Sequence, residues 1–239
     1  MNEFKVNKDG VPVLSASDIE KKAEEVIEFF NPDILRSPCE TPLLSFLEES
    51  AQRFEFTYDL TQNLGNNSHG HKILGKFRFK PRAILVDESV SGDPRQKFIL
   101  GHEFGHLVLH RNLLIKKAGY TISDVEKDLV TGNKILTTPR DWLEWQANQF
   151  AGAILIPRAT LLSALIAVQK KLDIHRNLGR IYLDEQPYSF RDFQKTLGGL
   201  MEIYLVTKKN LGIRLNDLGL LIDVRGKNTK HISELFMEE

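Results

Sequence analysis

The chain has 239 residues, with 32 Lys and Arg against 32 Asp and Glu, so its formal net charge is zero. That balance gives no support to a strong whole-surface field for nucleic acid. With 41% hydrophobic and 27% charged residues, the composition is that of a globular protein and not of a disordered or fibrous chain.

The first fourteen residues lack the apolar core of a secretory signal. The single cysteine, Cys39, has no intramolecular disulfide partner, and both features lead to the expectation of a cytoplasmic protein. Ser17 to Phe30 reads as an amphipathic helix, with Ser17 as N-cap, Glu20 at the third position and Ala23, Val26, Ile27 and Phe30 facing inward. Pro42 to Phe54 reads as a second helix. The run Asn66-Asn67-Ser68-His69-Gly70-His71 reads as an exposed polar loop. Ile73 to Phe79 and Ala83 to Val86, separated by Lys80-Pro81-Arg82, are β-prone and form a hairpin whose edge is expected to take an extended peptide as an added strand.

A third helix starts with Asp93 as N-cap, Pro94 at the first position and Gln96 closing a capping box. Phe98, Leu100, Leu107, Val108 and Leu109 keep it apolar to about Arg111. It carries His102-Glu103-Phe104-Gly105-His106, an HExxH pattern that chance placement gives roughly 0.015 times in a chain of this composition. Residues four apart on a helix have Cβ atoms roughly 5 to 6 Å apart, so His102 and His106 can share one zinc ion. A catalytic zinc takes three protein ligands and leaves the fourth position to water. Glu103 projects beside the metal, where its carboxylate can act as general base on that water. Polar groups on so apolar a helix need partners, and a metal serves all three. The metzincin extension would need glycine at 109 and histidine at 112, where this chain has Leu109 and Asn112. His110 is turned about 80° from His102 around the helix and reads as a structural hydrogen-bonding residue.

Lys116 to Leu136 reads as a long loop able to cover the cleft. The next helix starts with Thr138 as N-cap, Pro139 at the first position and Asp141 at the third. Glu144, Asn148, Ala151 and Leu155 share one face, and Ala147, Ala151 and Gly152 are small enough to let this helix approach the previous one. On residues alone, Glu144 is a candidate third ligand, beside the plainer reading of a solvated or capped acid. Asn148 is placed to hold a ligand histidine.

The pairing of HEFGHLVLH with WLEWQANQFAGAILIP resembles the ImmA/IrrE family of bacterial and phage metallopeptidases, whose signature couples HExxH to E-x-x-A-N-x-F-A and an apolar run ending in proline. The resemblance runs from about Ile73 to Pro157, with a weaker echo from Val206 to Ile222. It implies that Glu144 is the third ligand, so that His102, His106 and Glu144 hold one zinc ion with Glu103 as the base and Asn148 in support. It further implies an endopeptidase that cleaves a DNA-binding, helix-turn-helix repressor, often encoded beside it, to induce a mobile-element, stress or defence operon. The fold expected is α+β and mostly helical: a zincin-like core with a small antiparallel sheet beside the active-site helix, then a helical C-terminal region. The chain departs from the family pattern at Gly101, where alanine is usual, and in the step of 38 positions from His106 to Glu144. Tyr120, His69 and His71 are candidates for the oxyanion-stabilising group by residue type only.

Beyond Pro157 the chain reads as a helix near Leu161 to Leu172, an irregular stretch from His175 to Ser189, and helices near Phe193 to Val206 and Lys208 to Leu218, the last stopped by Gly219. Val206 to Leu215 somewhat resembles the second helix of a helix-turn-helix, but Leu211, Leu215 and Leu218 read as a packing stripe without a basic patch, so packing is the favoured reading and direct nucleic-acid binding through this C-terminal region the lesser alternative. Ala151 to Val168 is the most apolar stretch, and Pro157-Arg158 breaks it too soon to span a membrane. The expected division is an N-terminal helical region at 1–60, a catalytic core at 61–170 and a C-terminal region at 171–239 for sensing or substrate docking. Two other functions fit parts of the pattern. A metal-stabilised module binding a repressor or DNA without cutting would not need Glu103, and a zinc hydrolase of small amides would close over the β-edge that a peptidase keeps open.

Overall fold

The computed structural model describes residues 5–8, 10–110, 121–125 and 136–226, the third of these as backbone. The first helix, α1 (Ala16–Phe30), begins two residues before the expected point. Ser15 is its N-cap and Asp18 completes the capping box, accepting from the Ser15 amide at 2.9 Å and its hydroxyl at 2.6 Å. Two overlapping S-x-x-acid patterns compete here, and the earlier one wins because it leaves Glu20 available to Arg214. Ile19, Ala23 and Ile27 are buried, while Val26 and Phe30 are partly so. The second helix, α2 (Leu43–Phe54), lies where the sequence placed it.

A four-stranded sheet follows, built from β1 (Thr57–Gln62), β2 (Ile73–Phe79), β3 (Arg82–Asp87) and β4 (Thr121–Val125) in the order β1-β3-β2-β4. The expected hairpin is present as β2 and β3, antiparallel with Phe77 opposite Ile84. Two expectations are corrected. The sheet is mixed, because β1 runs parallel to β3, and the hairpin strands are its centre, since β4 pairs with β2. Their side chains explain the placement. Phe77, Phe79, Ile84 and Val86 are all buried, and strands that bury this much apolar surface take interior positions. The sheet edges among the described residues are β1 and β4. The loop expected from Lys116 to Leu136 contains β4, and its other residues up to 135 lie outside the described residues.

Helix α3 (Gln96–His110) lies against β2 and β3, and twelve of its fifteen residues are buried, which makes it the central element of the fold. The capping box expected from Asp93 does not form. Its carboxylate is taken by the amide of Arg95 at 2.7 Å and by the Arg95 guanidinium, and the first helical bond runs from Ile99 N–H to the Arg95 carbonyl. Helix α4 (Pro139–Leu155) has the expected start, with the Thr138 and Asp141 capping box and Pro139 at its first turn. It packs on both α3 and α1.

The chain bends by 55° at Ile156-Pro157 into α5 (Arg158–Lys171), and no single described helix is long and apolar enough to cross a membrane. The C-terminal part is less purely helical than expected. A strand, β5 (Ile181–Leu183), arises in the stretch expected to be irregular. It pairs in parallel with β6 (Leu221–Asp223), and α6 (Pro187–Tyr204) and α7 (Lys208–Asp217) lie between them in the chain. Leu211 and Leu215 are buried and Leu218 partly so, which is the packing stripe; Gly219, at φ +66°, ends α7. Arg214 ties this part to the rest: its Nε donates to the Ile156 carbonyl at 3.0 Å and its guanidinium forms a bidentate pair with Glu20 of α1.

Candidate active site

The site begins with how closely α3 and α4 approach. A Cβ at Gly105 would stand 3.2 Å from the Ala147 carbonyl oxygen and 3.3 Å from its Cα, and one at Gly101 would stand 3.4 Å from Ala151 Cβ. The small residues that allow the approach are therefore Gly101 and Gly105 on α3 facing Ala147 and Ala151 on α4. Gly152, expected to share this role, faces Arg214 of α7 instead.

Across this contact His102, His106 and Glu144 come together, all buried. The two histidine Nε2 atoms are 3.0 Å apart, and Glu144 Oε2 lies 3.2 Å from that of His102 and 3.7 Å from that of His106. Donor atoms on a tetrahedral ion at about 2.0 to 2.1 Å stand about 3.3 to 3.4 Å from one another, so the observed triangle fits a single metal ion of that size. Two imidazole nitrogens and a carboxylate oxygen are also the donors such an ion takes.

Each of the three side chains is held from behind, an arrangement that would fix its ring or carboxylate for a metal. Asn148 Oδ1 lies 2.9 Å from His102 Nδ1, as the sequence suggested. His106 Nδ1 meets His110 Nδ1 at 2.8 Å, and His110 Nε2 meets Gln146 Oε1 at 2.9 Å. His110 is thus the hydrogen-bonding residue expected of it. Burial first, and then the neighbouring His106, push its pKa well below the usual histidine range, so it is neutral. Glu144 Oε1 faces the half-exposed guanidinium of Arg140 at 3.4 Å. Phe77 of β2 stacks beside the His106 ring, 6.2 Å between centroids and 16° between planes.

Glu103 is fully buried between α3 and the sheet. A Cβ at Gly75 of β2 would stand 2.2 Å from Glu103 Oε1 and 2.9 Å from Ile99 Cγ2, so the carboxylate rests on strand backbone where only glycine leaves room. Gly75, Gln146 and Arg140 did not emerge from the sequence. Gln146 carried one readable signal, because it lies inside the E-x-x-A-N segment two residues after Glu144. His69 and His71 are exposed in a turn whose Asn67 side chain accepts from both their amides, at 2.9 and 3.0 Å. They are not part of the three-residue cluster. Tyr120 lies outside the described residues.

Two histidines one helical turn apart, a glutamate from the helix packed against them and a second glutamate beside the sheet form a centre of the metallopeptidase class. The model of the IrrE N-terminal-like domain family, peptidase family M78, matches residues 56–182, just over half of the chain. The chain belongs to this family and is a metallopeptidase of the IrrE/ImmA type. The match extends beyond the readable signature on both sides, taking in β1 and the start of β5. No curated protein matches the chain.

Proposed function

We propose that the protein is a zinc-dependent endopeptidase that cleaves a regulatory protein, specifically a helix-turn-helix repressor encoded nearby. The observation that supports this most is the buried triangle of His102 Nε2, His106 Nε2 and Glu144 Oε2, with Glu103 next in the chain and seated on Gly75. His102, His106 and Glu144 would hold the ion. Zinc bound there supplies a Lewis acid for the scissile carbonyl and a water acidic enough to ionise near neutral pH.

Glu103 does the proton work. Its carboxylate accepts a proton from the attacking water as oxygen bonds to the carbonyl carbon. It then gives that proton to the amide nitrogen as the carbon–nitrogen bond breaks, leaving a carboxylic acid and an amine. Asn148 and His110 keep the two imidazoles aimed at one point, and Arg140 holds the outer oxygen of Glu144. Among the described residues β4, the neighbour of the strand that carries Gly75, is a sheet edge that an extended peptide can join. Zero net charge suits a protein substrate better than nucleic acid, and a lone cysteine suits a reducing cytoplasm.

The test is to mix the protein, or its Glu103→Gln variant, with the product of a neighbouring repressor gene. The wild type should cut and the variant should not, at equal metal content. Equal cutting by both, or no cutting by the wild type under inducing conditions, overturns the proposal.

A further inference from the structure

The hydrogen bonds behind His106 do not stop at His110. Gln146 Oε1 takes the far side of the His110 ring, and Gln146 Nε2 donates to the Pro12 carbonyl at 2.7 Å. His106, His110 and Gln146 are all buried. This line therefore runs without a break from the metal ligand to the backbone of the N-terminal segment, which lies outside the residues matched to the peptidase family.

A line of this kind has a direction. A backbone carbonyl only accepts, so the Gln146 amide must turn its NH2 group to Pro12 and its oxygen to His110. Rotating the amide by half a turn would set two oxygens 2.7 Å apart and leave a buried acceptor unsatisfied, which is costly. Facing an oxygen, His110 must carry its proton on Nε2, and its Nδ1 is then a bare acceptor. Facing that acceptor at 2.8 Å, His106 must carry its proton on Nδ1. Its Nε2 lone pair is left pointing at His102 Nε2 and Glu144 Oε2, the form a metal requires.

We infer that His110 and Gln146 are positioning residues that set the tautomer of His106, with the Pro12 carbonyl as the fixed end that gives the line its direction. This rests on the metal-site reading above. The N-terminal segment is built to hold that end still. Asn7 N–H donates to the Val11 carbonyl and Val11 N–H to Asn7 Oδ1, both at 2.9 Å, and Val13 N–H donates to the Lys5 carbonyl at 2.8 Å. Val11 and Leu14, on either side of Pro12, are buried. The segment is thus a structural part of the peptidase centre.

Two measurements test this. Nitrogen-15 imidazole shifts of the metal-free wild type should show His106 protonated on Nδ1 and His110 on Nε2; His106 protonated on Nε2 overturns the inference. In zinc titrations against a competing chelator, Gln146→Leu should bind zinc about 10- to 100-fold more weakly than the wild type. Gln146→Glu still accepts from His110 and should stay within a few-fold of the wild type. As a carboxylate it can no longer donate to Pro12, so at a pH where it is ionised trypsin should cut it faster at Lys5 or Lys8. Undiminished zinc binding by Gln146→Leu, or equal losses in the Leu and Glu variants, overturns the inference. A wild type that binds no zinc would instead overturn the metal-site reading, with the metal-free tautomers still deciding the line itself.

Discussion

Gly75→Ala adds a single carbon in the strand beside α3, and the structure says where it goes. The new Cβ meets Glu103 Oε1 at 2.2 Å, whereas ordinary contact begins near 3.4 Å, so the carboxylate has to retreat by more than 1 Å. Ile99 Cγ2, at 2.9 Å, has to give as well. Misplacing a reacting group by about 1 Å costs on the order of 10²-fold in rate, and overpacking of this size costs about 1 to 3 kcal/mol of stability. None of His102, His106 and Glu144 is touched. Gly75→Ala should therefore cut the proposed repressor substrate about 100-fold more slowly at saturating substrate, with zinc content unchanged and a lower melting temperature. A variant cutting at the wild-type rate would refute the placement of Glu103 against β2. One that lost zinc in step with activity would show that Gly75 supports the ligands and not the base.

Gly101→Ala should be tolerated, because the added carbon meets Ala151 Cβ and Leu43 Cδ2 at 3.4 Å, the start of ordinary contact. The gain in helix propensity is up to about 1 kcal/mol, visible as a rise in melting temperature of roughly 2 to 4 °C; a fall would mean that α3 and α4 cannot accept the methyl. Arg214→Met strands Glu20 and the Ile156 carbonyl, so urea unfolding should show a loss of about 3 to 5 kcal/mol, and a loss below 1 kcal/mol would contradict the strap between α1, α4 and α7. Burial opposes ionisation of Asp87, but Ser89, the Leu64 amide and Lys72 outweigh it and bring its pKa from 3.8 down to about 2. The folded pKa is the lower one, so this stabilisation of about 2 kcal/mol is present above pH 3.8 and is lost as pH falls toward 2. The stability difference between metal-free wild type and Asp87→Asn should hold from pH 7 to about 4 and roughly halve by about pH 3. A difference that shrank by about pH 6 would implicate other groups.

The readable parts of this protein are those governed by local spacing. HEFGH places two imidazoles on one helical face, and Thr138, Pro139 and Asp141 start α4 from within four residues. The start of α1 was misread because Ser15 with Asp18 and Ser17 with Glu20 obey the same rule. Only the distant Arg214, which engages Glu20, separates them. Strand β1 has no alternating burial to betray it, and its pairing with β3 depends on residues 25 or more positions away. Gly75 and Gln146 fall in the same category. Nothing local marks a glycine as the seat of a carboxylate, or a glutamine as the link between a histidine and a carbonyl 134 positions earlier. Glu144 is a candidate from its helix face, and only a family signature, standing in for the missing long-range geometry, sets it above the reading of a solvated or capped acid.

In the proposed mechanism His102, His106 and Glu144 hold one zinc ion while Glu103 acts beside it. The most direct measurement is zinc content and affinity in the wild type, Glu144→Ala and Glu103→Gln after exhaustive dialysis. One equivalent is expected in the wild type and in Glu103→Gln, with loss of tight binding in Glu144→Ala. Full zinc in Glu144→Ala, or its loss in Glu103→Gln, would contradict it.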